Sequence, residues 1–79
     1  MTETIMIRGD FIKLDALMKF ASLVASGGEG KMAIADGLVS VNGEVCTMRG
    51  KKIRPGDMVS FCGQDLSVQS YDHPSYDHP

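Results

Sequence analysis

The chain has no tryptophan, and its two histidines, His73 and His78, stand at its far C-terminal end. The body of the sequence therefore lacks an imidazole to serve as base for a serine or cysteine nucleophile. No paired carboxylates form a recognisable catalytic pattern either, so we expect no enzyme activity. No apolar run approaches the ~18 consecutive residues of a membrane span. The opening MTETIMIRGD has no basic start followed by an apolar stretch and a small-residue cleavage site, so no secretory signal is expected. The expected setting is the cytoplasm, without a membrane partner. Cysteine is scarce: Cys46 and Cys62 form no CxxC pair and have no histidine at zinc-ligand spacing. Both fall in strand-like stretches and are expected as small buried or half-buried thiols in a reducing compartment. A disulfide between neighbouring strands stays open on geometry. No metal or other cofactor is expected, and Met18, Met32 and Met58 read as core filler.

What is present is enough for one small domain. A chain of 79 residues buries only roughly 60% of the surface its unfolded form exposes, which disfavours a deep two-walled cleft. The net charge is −2, unlike the basic balance common among nucleic-acid binders. The distribution of charge points the other way. Gln69 to Pro79 carries two acids and no lysine or arginine, and without it acids and bases balance at eight each. Four of the eight bases crowd into six residues, Arg49, Lys51, Lys52 and Arg54, with no acid among them. Such a patch attracts phosphate locally whatever the total charge.

Period and punctuation predict an α+β fold. Thr4–Ile7 reads as a short edge strand. Asp10 offers an N-cap for a helix running to about Val24, with Phe11, Leu14, Leu17, Met18 and Ala21 on its apolar face. Lys13, Asp15 and Lys19 fall off that stripe. Ser26 is the next N-cap, with Glu29 three residues on as capping-box partner. The second helix spans roughly Gly28–Asp36, turns Met32 and Ala33 or Ile34 to the core, and stops at Gly37. Gly30 weakens it but permits close approach of the first helix. Residues 38–41 and 44–47 then alternate around Asn42-Gly43, a strong hairpin signal. Met48–Lys52 is a loop, and Pro55-Gly56-Asp57 a turn. Met58–Phe61, a turn at Gly63-Gln64-Asp65 and a strand over Leu66–Gln69 complete a small, mostly antiparallel sheet of four to five strands. Residues 1–70 form the domain; residues 71–79 contain a tandem YDHP repeat and read as a flexible tail. Its His and Asp residues make a poor metal cage. Gly27-Gly28-Glu29-Gly30-Lys31 lacks the spacing of a phosphate-binding loop.

In that order the parts resemble the S4-type RNA-binding domain, and more narrowly the small stand-alone bacterial S4-like proteins of the YbcJ/YaaA group. The likeness rests on Lys13-Leu14-Asp15 with Leu17, and on Ser26-Gly27-Gly28 with Lys31. It continues through Ile34, Gly37, Val39-x-Val41-Asn42-Gly43, Arg49-Gly50-Lys51-Lys52-Ile53 and Pro55-Gly56-Asp57. It covers about Phe11 to Val68. It implies an αL-type motif, two helices packed on the sheet, with RNA held on a basic face of helix and loop. Lys13 stands where the broad family usually has the arginine of Arg-Leu-Asp. Lys31, Arg49, Lys51 and Lys52 match basic positions of the stand-alone group. The departures are Gly27 for the broad family's arginine, Met48 for a second arginine, and Gly30 for alanine.

The candidate RNA-binding residues are accordingly Lys13, Ser26, Gly27, Gly28, Lys31, Arg49, Lys51, Lys52 and Arg54. Lysine and arginine hold phosphates as point charges or forks, and the second helix's N-terminal N–H groups can seat one. A patch without stacking aromatics suits structured RNA, ribosomal or transfer, better than a single strand. The expected molecule is a monomeric, non-catalytic RNA-binding module, ribosome association included. The alternative is a protein-interaction adaptor presenting the same face to an acidic partner.

Overall fold

A computed structural model describes residues 2–71. Among these the order is β1 (Thr2–Ile7), β2 (Ile12–Lys13), α1 (Leu14–Phe20), α2 (Gly27–Ala35), β3 (Val39–Val41), β4 (Glu44–Val45), β5 (Lys52–Ile53), β6 (Met58–Phe61) and β7 (Gln64–Ser70). The α+β expectation holds: two helices pack with a five-stranded sheet of order β1-β7-β6-β3-β4, all antiparallel except β1 with β7. β1 is an edge strand, as its sequence suggests. A separate two-stranded ribbon joins β2 to β5. The predicted tail lies outside the described residues apart from Tyr71, whose N–H donates to the Ile7 carbonyl at 3.0 Å.

Alternation places one face of the sheet in the core. Val39, Val41, Val59, Leu66 and Val68 are buried there, with Ile7 beside them, against Leu14, Leu17, Met18, Ala33 and Ile34 from the helices. The buried Ser70 hydroxyl donates to the Gly9 carbonyl at 3.1 Å, removing the cost of an unpartnered buried group.

α1 is shorter than its periodicity. Asp10 is not its cap, because Ile12 and Lys13 pair with β5 first and the helix begins at Leu14, with Lys13 as an N-cap that makes no side-chain bond. Phe11, placed on the helix stripe by spacing, is 40% exposed. At the other end Ser22 takes φ +60°, and the N–H groups of Ser22 and Leu23 return to the carbonyls of Lys19 and Met18. That is a Schellman stop with serine where glycine is usual. α2 ends the same way, through Gly37 at φ +76° and bonds from Gly37 to Ile34 and Leu38 to Ala33.

Three smaller expectations fail. Met32 and Met58 are exposed rather than core. The last hairpin turns at Cys62-Gly63, both at positive φ, with Phe61 paired to Gln64, so the Cys62 thiol is exposed at a turn. Cys46 is half-buried and free, its thiol donating to the Met48 carbonyl at 3.7 Å.

Gly30 is the point of helix contact. A Cβ there would meet Val24 Cγ2 at 3.4 Å, the Asp15 carbonyl at 3.7 Å and Met18 Cβ at 3.9 Å, all ordinary contacts. Gly30→Ala should therefore recover helix propensity without a clash, stabilising by about 0.5–1 kcal/mol. The expected rise in melting temperature is roughly 2–8 °C, checked by thermal denaturation; a lower value would mean the helices cannot accept one methyl.

Candidate nucleic-acid interface

The first N–H groups of a helix have no partner within it. In α1 those of Leu14 and Asp15 are taken by backbone carbonyls from the basic loop: Leu14 donates to Lys51 at 2.9 Å and Asp15 to Arg49 at 3.1 Å. The loop is itself folded by Lys51 N–H donating to the Met48 carbonyl at 3.1 Å. The ribbon continues the attachment, with Ile12 opposite Ile53 and Lys13 opposite Lys52. Ile53 is fully buried and anchors the segment. Alternation then turns Lys13 and Lys52 outward together.

This geometry joins residues 36 or more positions apart in sequence. Lys13, Arg49, Lys51 and Lys52 meet at one end of α1, and all are exposed. Like charges directly opposite in a ladder are destabilising, yet Lys13 and Lys52 occupy such a pair. Among the described residues no ion pair involves Lys13, Arg49 or Lys51. Lys52 Nζ lies 4.8 Å from the centroid of the Phe11 ring, within cation–π range. Arg54 follows on the same side of β5 and lines an open groove with Asp10, Phe11, Lys52 and Pro55. Its position is set by the next turn. Asp57 N–H donates to the Arg54 carbonyl at 3.0 Å, Asp57 Oδ2 accepts from Arg54 N–H at 2.9 Å, and Asn42 Nδ2 donates to Asp57 Oδ1 at 3.1 Å. The Asn42 side chain thus ties the first hairpin to this turn.

The second helix contributes more loosely. Its Gly30 abuts the carbonyl of Asp15, the same residue whose N–H holds Arg49, and Lys31 follows, exposed. Ser26 caps it as expected: its Oγ accepts from Glu29 N–H at 3.2 Å. Glu29 Oε1 accepts from Ala25 N–H at 2.7 Å, one residue earlier than in the usual capping box. The half-buried Gly27 and the exposed Gly28 occupy the first turn, with the Glu29 carboxylate beside them opposing an anion there.

Sequence reasoning missed Phe11. It sits at the border of the patch as an exposed ring, so the basic face does have an aromatic neighbour. The missed signal was the strand pairing of Ile12–Lys13, which takes Phe11 off the helix.

The class of protein follows from sequence comparison: a family profile described as the S4 domain matches residues 5–69, and the chain belongs to that family. Among its relatives is a protein of Escherichia coli (strain K12) named "Putative RNA-binding protein YbcJ", 40% identical over 57 residues that cover 72% of this chain and 81% of that one. A Shigella flexneri protein, "Uncharacterized protein YbcJ", matches to the same extent.

Replacing one lysine of the cross-strand pair tests the strain. Lys13→Glu puts opposite charges across the ribbon and a carboxylate at the α1 N-terminus, both favourable. We expect a gain of about 0.3–1 kcal/mol in chemical denaturation at low salt, shrinking at high salt. A loss, at low and high salt alike, would count against electrostatic repulsion across the pair.

Proposed function

We propose that the chain is a non-catalytic RNA-binding module that holds the backbone of structured RNA, ribosomal or transfer, on this basic face. Lys13, Arg49, Lys51 and Lys52 form its centre and Arg54 extends it. Lys31 is its contribution from α2; Ser26, Gly27 and Gly28 take part only through their backbone, beside the opposing Glu29 carboxylate. The module works as a cytoplasmic monomer, on free RNA or on RNA within the ribosome.

The observation that carries this reading is the Lys13–Lys52 pair, held opposite by the register of the ribbon, an arrangement in which like charges disfavour one another. A bound phosphate between such cations turns that repulsion into affinity, since neutralising them releases counterions from the RNA. S4 membership and the name of the Escherichia coli relative support the same ligand class. A-form RNA presents backbone and 2′-hydroxyls at regular spacing, which a fixed set of cations recognises by shape.

Because backbone carbonyls, not side chains, attach the loop to α1, the charges can be reversed without unfolding the domain. The triple variant Arg49→Glu, Lys51→Glu, Lys52→Glu should keep its circular dichroism spectrum and lose RNA retention in filter binding. For the unaltered chain, four phosphate contacts imply a fall of roughly 100-fold in affinity between 50 and 200 mM salt. Retention by the triple variant equal to the parent's, or a flat salt response, refutes the assignment. Protein partners that survive nuclease treatment would favour the acidic-partner alternative.

A further inference from the structure

Beside the basic face lies a second, apolar groove of about 470 Å³, within the 300–1,000 Å³ range of small-ligand sites. Phe11, Phe20 and Tyr71 line it together with Met6, Ile12 and Arg8. Phe20 and Tyr71 are 59% and 58% exposed as residues. The Arg8 guanidinium lies 5.0 Å from the Tyr71 ring centroid. Three of the chain's five aromatic residues thus converge on one open surface.

Resting on the RNA-binding reading, we propose that this groove receives one unpaired nucleobase of the RNA whose backbone lies on the basic face. Phe11 is the wall shared by the two sites: it lines the aromatic groove and also the one containing Lys52 and Arg54. A nucleotide whose phosphate meets Lys52 and Arg54 can therefore turn its base over Phe11 toward Phe20 and Tyr71. Every base offers a π-face to stack on such rings, and a guanidinium plane stacks on bases as readily as on tyrosine. A purely apolar occupant fits less well, because it would strip water from Arg8 without supplying a partner. The RNA selected is then a paired stem interrupted by a bulged or looped-out nucleotide.

Two synthetic RNAs test this: a fully paired hairpin, and the same hairpin with one bulged 2-aminopurine nucleotide. Stacking of one base corresponds to roughly 5- to 150-fold tighter binding of the bulged form, accompanied by quenching of 2-aminopurine fluorescence. Phe20→Leu keeps the apolar area and a good helix former at the exposed end of α1 but removes the ring. It should bring the ratio of the two affinities close to one while leaving binding of the paired hairpin and its salt dependence unchanged. Tyr71→Leu should act in the same direction. Equal binding of the two hairpins by the unaltered chain overturns the proposal and leaves the RNA-binding reading standing; so does a preference that survives Phe20→Leu. Equal binding combined with a Phe20→Leu change in sedimentation assigns the groove to a second copy. If Phe20→Leu instead shifts the backbone resonances of residues 72–79, the groove belongs to the chain's own C-terminal segment. Failure to bind either hairpin at low salt overturns both readings.

Discussion

The arrangement turns on two hydrogen bonds, from the amides of Leu14 and Asp15 to the carbonyls of Lys51 and Arg49. They satisfy donors that the first turn of α1 would otherwise leave bare. They also decide where the basic loop sits, and with it the distance between Lys13 and the later cations. Because the attachment uses backbone, the side chains are left free to carry charge outward. Structure and ligand chemistry are thus divided between main chain and side chain of the same few residues. The buried Ile53, opposite Ile12, adds the apolar anchor that keeps this union from sliding.

Much of the fold was legible because its signals are local. The Asn42-Gly43 hairpin has both residues at positive φ. Ser26 and Glu29 cap the second helix, Gly37 ends it, and Gly56 at φ +98° makes the turn after Pro55. The valines of β3 announce a half-buried strand. What failed was non-local or lacked its usual residue. No side chain marks the start of α1, because a loop some 36 positions downstream caps it. Ser22 and Cys62 adopt the left-handed conformation that glycine normally signals, so the end of the first helix was read about four residues late and the last hairpin turn about one residue late. Of the candidate site, the cluster at 49–54 was visible as charge. Its meeting with Lys13 was implied only by resemblance, since it depends on a two-residue ribbon too short to register as a pattern. Phe11 was assigned to the core for the same reason.

The sheet's one parallel pairing has a further consequence, for the relative durability of the two surfaces. Every partner pair between β1 and β7, from Thr2↔Asp65 to Ile7↔Ser70, spans 63 residues. Loop closure over that separation is paid before any contact repays it, and β1 is held from one side only. In synthesis β1 waits for β7 before it can pair. Arg8 and Tyr71, which help shape the aromatic groove, hang on the end of this pairing, whereas the lysines of the basic face are attached through α1, its loop and the β2–β5 ribbon. A local opening of the β1 edge, the kind of partial unfolding a domain samples below its global stability, would dissolve the groove while leaving the cationic face assembled.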